Sequence, residues 1–137
     1  MGYRSDVLIA AAFETKEFMD DVLAVYRMHS LVRQHNMSVS WAQRERQEGN
    51  PYCLVLNMQD VKWYPDYEGV QAAEHMEELI RMFGEERDTA CGYIHLRIGE
   101  DLDDNEYEKE TFNDDDDFAI ESFLINNFGI SREIYQS

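Results

Sequence analysis

The residues that could do chemistry crowd into positions 100–121, where twelve carboxylates share the chain with one lysine. They are Glu100, Asp101, Asp103, Asp104, Glu106, Glu108, Glu110, Asp114, Asp115, Asp116, Asp117 and Glu121; the lysine is Lys109. In extended backbone every second side chain points the same way, which puts Glu106, Glu108 and Glu110 on one face about 6.6 Å apart. One strand of duplex DNA carries a phosphate every ~3.4 Å. A ribbon of acids can therefore approach the charge density of a phosphate strand. Leu102, Tyr107, Phe112 and Phe118 are interleaved with the acids and would pin such a ribbon to a scaffold. A fixed array loses less freedom on binding than a loose tail. The chemistry this pattern suits is electrostatic recognition of a basic surface.

Two further groups could extend that surface. Glu74, Glu77 and Glu78, with Glu85, fall roughly on one side of an expected helix, interrupted by Arg81. Asp60, Asp66 and Glu68 flank the turn before it. If these faces adjoin the acidic segment, the result is a long negative stripe. The second group is Trp63-Tyr64-Pro65-Asp66-Tyr67, in which Pro65 marks an exposed turn. Trp63, Tyr64 and Tyr67 could stack on an arginine-rich partner. The commoner use of such aromatics, and of Trp41, is packing at a sheet edge and beneath helices.

Patterns for catalysis and metal binding are missing. The sequence has no glycine-rich phosphate loop, no Cys-x-x-Cys, no His-Glu-x-x-His and no serine elbow. His29, His35, His75 and His95 are scattered and read as surface or half-buried residues rather than ligands. Asp101-Leu102-Asp103-Asp104-Asn105-Glu106 begins like a calcium loop, but Glu106 stands where glycine is needed and Phe112 where glutamate is needed. No pair among the 29 acids stands out as a glycosidase couple. The expectation is a non-enzyme with no metal and no cofactor.

Bulk properties agree with a folded binding module. The 137 residues fit one domain, 1–137, within which 100–121 is the acidic segment. A hydrophobic fraction of 44% with 12% aromatics argues for a packed core despite a net charge of −17. Residues 1–50 hold 6 basic and 7 acidic side chains, against 6 and 22 in 51–137, so the acidity is local. Charge of this sign excludes direct binding to nucleic acid or anionic membrane, both of which need Lys and Arg. Cys53 and Cys91 each sit in an apolar run and read as free, buried thiols in a reducing cytosol. No apolar stretch approaches the ~20 residues of a membrane span. Arg27, Arg33, Arg44 and Arg46 form a weak opposite pole, open either to self-association as a homodimer or to plain solvation.

The elements that must position these residues follow from periodicity. The apolar run within Tyr3 to Phe13 reads as a central strand. Thr15 reads as the N-cap of an amphipathic helix from Lys16 to about Gln34. Met37 to Trp41 alternates like a strand, and Gly49-Asn50-Pro51 signals a turn. Strands are expected over Tyr52 to Trp63 and Cys91 to Ile98. Between them lies a helix from Val70 to Phe83, closed by Gly84. Phe118 to Phe128, rich in β-branched and aromatic residues, reads as a last strand. This order predicts an α+β fold: a ferredoxin-like βαββαβ sandwich with an added C-terminal strand or segment.

The opening Met1-Gly2-Tyr3-Arg4-Ser5-Asp6-Val7 and the run Tyr93-Ile94-His95-Leu96-Arg97-Ile98-Gly99-Glu100-Asp101-Leu102-Asp103-Asp104 resemble a family of small uncharacterised acidic proteins of tailed bacteriophages. The resemblance spans most of the chain and carries no shared chemistry. It implies the host bacterial cytoplasm as the place of action. In role the chain resembles the DNA mimics of phages, which occupy the DNA-binding sites of host enzymes. The leading expectation is thus an acidic DNA mimic that inhibits a host DNA-processing enzyme, DNA gyrase first, then a defence nuclease or CRISPR complex. The alternative is an adaptor that binds a host protein through Trp63 to Tyr67 without mimicry. A third is a small metal-dependent hydrolase.

Overall fold

The computed structural model describes residues 4–101, 103–114 and 119–128. Strand β1 (Ser5–Phe13) lies at the centre of a five-stranded sheet. It pairs antiparallel with β3 (Tyr52–Val61) on one side and β4 (Cys91–Gly99) on the other. The short β2 (Trp41–Arg44) flanks β3, and β5 (Asn105–Phe112) flanks β4. The order is β2-β3-β1-β4-β5, antiparallel throughout. The α+β class therefore holds. The order differs from a four-stranded one because β5, built from the acidic segment, is laid outside β4.

Both faces of the sheet are covered, which explains the unbroken apolar run of β1. Val7, Ile9, Ala11 and Phe13 face α1 (Lys16–Met28) and α3 (Glu68–Glu86), joining Phe18, Met19, Val22, Met76 and Ile80 in the larger core. Ala10 and Ala12 face the other way, towards Cys53, Ile94, Leu96 and the small helix α4 (Ile120–Phe128). Cys53 and Cys91 are free and buried, as expected.

Thr15 does cap α1, its Oγ1 accepting from the Phe18 amide at 3.1 Å. The expected long helix to Gln34 breaks at His29, whose backbone is extended (ψ 136°). His29 Nδ1 then accepts from the Leu31 amide and starts α2 (Ser30–Gln34). The strand expected over Met37 to Trp41 is instead a 3-10 turn, Met37–Ser40, entered through the left-handed Asn36. Pairing begins only at Trp41.

Gly84 lies inside α3 and does not end it. A Cβ at this position would meet the Phe112 ring at 2.5 Å, so the glycine is what lets β5 approach α3.

The C-terminal strand expected over Phe118 to Phe128 is overturned, since Ile120–Phe128 is helical. The Asp114 carboxylate accepts from the amides of Ile120 (2.6 Å) and Glu121 (3.0 Å), satisfying donors that a helix start leaves unpaired. Ile120 and Leu124, four residues apart, bury on one side.

Candidate acidic binding face

The site grows from the β4–β5 ladder. Tyr93 pairs with Glu110, His95 with Glu108 and Arg97 with Glu106. Alternate side chains of both strands therefore share the face that α3 covers. Glu106, Glu108 and Glu110 lie along one side of an extended edge strand, as their spacing predicted. The turn that delivers them is tied by the Gly99 amide to Asp104 O (2.8 Å) and by the Asp104 amide to Asp101 O (3.0 Å).

Two arginines partly neutralise the ribbon and fix it. Arg97, only 8% exposed, donates to Ser5 Oγ, to both Asp104 oxygens (2.6 and 3.1 Å) and to Glu106 Oε1 (3.0 Å). Arg81 of α3 donates to Glu110 Oε2 (2.8 Å) and to Tyr93 Oη (2.6 Å). Among the described residues Glu108, between them, has no ion pair. Burial, reinforced by the charge of Glu77, pushes the Tyr93 hydroxyl up to about 12, so it stays a neutral donor and acceptor.

Between the arginines lies a buried pair. His95 Nδ1 and Glu77 Oε2 are 2.7 Å apart, with both side chains 4% exposed. An ionised carboxylate can only accept, so Nδ1 carries the proton. The other ring nitrogen, Nε2, is buried and has no hydrogen-bond partner among the described residues. Burial opposes charge on His95, but the Glu77 hydrogen bond and the charges of Glu77, Glu74 and Glu108 together raise its proton affinity. Glu74, one turn before Glu77, is half-buried, and burial followed by repulsion from Glu77 raises its pKa. Trp63 places its ring edge-on to His95, with centroids 5.9 Å apart. Trp63, Tyr64, Pro65, Glu74, Arg97, Asp104 and Glu106 line an open pocket of about 310 Å³ beside the pair.

The structure brings part of the expected stripe together. Glu74, Asp104, Glu106, Glu108 and Glu110 share the α3–β5 face. Glu78 is exposed and bonds His75 at 3.3 Å. Glu77 is a correction: it was expected to contact a partner and is instead buried against His95, because Ala73, Glu77 and Ile80 lie on the sheet-facing side of α3. His95 is also a correction, being interior rather than surface or half-buried. Glu100 is exposed and accepts from the Arg4 amide at 2.7 Å. Asp101 and Asp103 are exposed in the turn. Asp114 is committed to capping α4, and Glu121 to Lys109 (2.7 Å). Asp115, Asp116 and Asp117, with Leu102 and Phe118, lie outside the described residues. Trp63 and Tyr64 line the pocket; Tyr67 is 44% exposed and stacks edge-on with Tyr64. Trp41 packs in the core, as its commoner use predicted.

The arrangement can bind cations. Asp104, Glu74, Glu106, Glu108 and Glu110 meet two guanidiniums on one face, and an aromatic wall borders the pocket. No described helix is long and apolar enough to cross a membrane. No family model, curated protein or solved structure matches the chain.

Proposed function

We propose that the protein is a phage-encoded DNA mimic whose α3–β5 face occupies the basic DNA-binding surface of a host enzyme. The observation that carries this reading is that Glu106, Glu108 and Glu110 lie on an extended edge strand with Glu74 of α3 beside them. Glu106 is held by Arg97 and Glu110 by Arg81, and the strand between them is paired to β4 rather than carried as a tail, which lowers the ordering cost of binding. Charged side chains on an edge strand also guard it against pairing with other strands. The pocket walled by Trp63 and Tyr64 suits one inserted arginine of the partner, stacked on an indole and facing carboxylates.

The fold is read as a ferredoxin-like βαββαβ unit extended by β5. It supplies the platform and says nothing of activity. DNA gyrase is the first target to test, since a pair of acidic faces in a homodimer would suit a long basic saddle; a defence nuclease or CRISPR complex follows. Inhibition of gyrase supercoiling, relieved by excess duplex DNA and lost in Glu106→Gln/Glu108→Gln/Glu110→Gln, is the expected result. No inhibition removes gyrase as the target. Inhibition that the triple variant retains removes the mimic.

A further inference from the structure

We propose that the recess between the β2–β3 hairpin and α4 binds one oxyanion of the phosphate type through Arg44 and Arg46. Its volume is about 80 Å³, and Arg44, Arg46, Asn50, Cys53 and Phe123 are among its walls. One water needs about 10–15 Å³ of such space, so the recess takes about five to eight water-sized atoms. A phosphoryl group, one phosphorus with its oxygens, is of that size.

The two guanidiniums are held in place by the protein itself. Arg44 ends β2, Arg46 follows two residues on, and both reach the same recess. Arg44 Cζ lies 4.9 Å from the centroid of the Phe128 ring, and Arg46 Cζ lies 4.5 Å from that of Tyr52. Arg46 Nε also donates to Asn50 O at 2.8 Å, which ties it to the hairpin loop. A guanidinium already stacked and tethered loses less freedom when it takes a ligand.

Neither guanidinium is neutralised by the described residues. Of the five N–H donors on each, Arg44 spends none and Arg46 spends one, and neither has a carboxylate within ion-pair distance. This holds in a chain where acids outnumber bases 29 to 12, and where Arg81, Arg87 and Arg97 each hold a carboxylate. Two arginine forks converging on one recess suit bidentate recognition of a phosphoryl group. Glu45 also borders the recess and pairs with neither arginine, so it weakens the site without closing it. A second recess of about 260 Å³ runs on along α4, sharing Asn50, Pro51, Phe123 and Asn127 with the first and adding Ser122 and Asn126. It offers neutral polar walls to whatever the phosphoryl group is attached to. The site lies at the β2 edge of the sheet, opposite the acidic β5 edge, and does not depend on the mimic reading.

The test is calorimetric titration of the full chain with inorganic phosphate at low ionic strength, alongside Arg44→Gln, Arg46→Gln, Glu45→Gln and the control Arg33→Gln. Arg33 is exposed on α2, so the control removes the same charge elsewhere. A net charge of −17 repels anions in general, so a saturable step identifies a local site. Arg44 and Arg46 are both exposed, so their variants keep the core, as circular dichroism would verify. The expected result is one phosphate per chain, little changed in Arg33→Gln and tighter in Glu45→Gln. It weakens at least about tenfold in Arg44→Gln and in Arg46→Gln, the scale of one lost hydrogen bond to a charged group. On ¹⁵N NMR, phosphate should shift the Nε–H signals of Arg44 and Arg46 in the wild type. Glycerol 2-phosphate binding at least as tightly as phosphate assigns the site to a phosphomonoester whose remainder lies along α4; weaker binding assigns it to free phosphate. The absence of a saturable step, equal weakening in Arg33→Gln, acetate binding as tightly as phosphate, or unmoved Arg44 and Arg46 signals would each overturn the site.

Discussion

Tyr26→Phe removes a single oxygen and should cost far more than its volume suggests. Tyr26 is fully buried, and its hydroxyl donates to Ala72 O of α3 at 2.9 Å while accepting from Trp41 Nε1 at 2.9 Å. The two rings also meet edge to face, 6.0 Å apart. One hydroxyl thus ties α1 to α3 and to the start of β2. Without it the indole N–H, on a residue 6% exposed, has no acceptor, and a buried unpaired donor costs about 1–3 kcal/mol. Ala72 O keeps its helical bond and adds little. The expected loss is about 2 kcal/mol. A chain of this length loses roughly 3–5 °C of melting temperature per kcal/mol, so the midpoint should fall by about 6–10 °C. Urea unfolding followed by circular dichroism measures it. In a Trp41→Phe background the same change should cost less, because the orphaned donor is already gone. A loss below about 0.5 kcal/mol, or equal losses in both backgrounds, would refute the reasoning.

Gly92→Ala should destabilise by about 1–3 kcal/mol, the range for overpacking, because its Cβ would meet the Glu110 carbonyl at 2.8 Å and a backbone oxygen of the β4–β5 ladder cannot step aside; chemical denaturation reads this. Asp114→Ala should cost about 0.5–2 kcal/mol by removing the acceptor for the Ile120 and Glu121 amides, with amide exchange rising first in α4. Burial pushes both Cys53 and Cys91 up to about 12. Since only the thiolate reacts, both thiols should resist a disulfide reagent at pH 8 in the folded protein and react once it is unfolded; fast labelling of the native chain would contradict their placement.

The elements that were legible in the sequence are those whose pattern had one physical solution. The run Val7 to Ala12 read as a central strand and is one, and Thr15 before an amphipathic stretch read as its cap and is one. The segment Ile120–Phe128 was not settled by its composition, because a short apolar run fits a strand or a buried helix equally. What decides it is the Asp114 carboxylate six residues upstream, a contact no local pattern announces. The acidic strand was legible as alternation at Glu106, Glu108 and Glu110. Its arginine partners were not, since Arg97 reaches it through the sheet register and Arg81 through the packing of α3 on the sheet.

The His95–Glu77 pair was hidden for a related reason. β4 alternates Tyr93, His95 and Arg97 against Ile94, Leu96 and Ile98, which reads as one wet face and one dry face. Helices on both sides of the sheet bury both sets. The signal was present in β1: an unbroken apolar run says that both faces are covered, so polar residues on the neighbouring strand must find partners. Glu77 then follows as the acid on the sheet-facing side of α3.

Affinity capture from bacterial lysate, with the tagged chain as bait, tests the central claim most directly. The account predicts that low salt retains a DNA-binding enzyme. Excess duplex DNA or high salt should release it, and bait carrying Glu106→Gln/Glu108→Gln/Glu110→Gln should lose it. A partner that stays bound in excess duplex DNA, or that the triple variant captures as well as the wild type, would contradict DNA mimicry by the α3–β5 face.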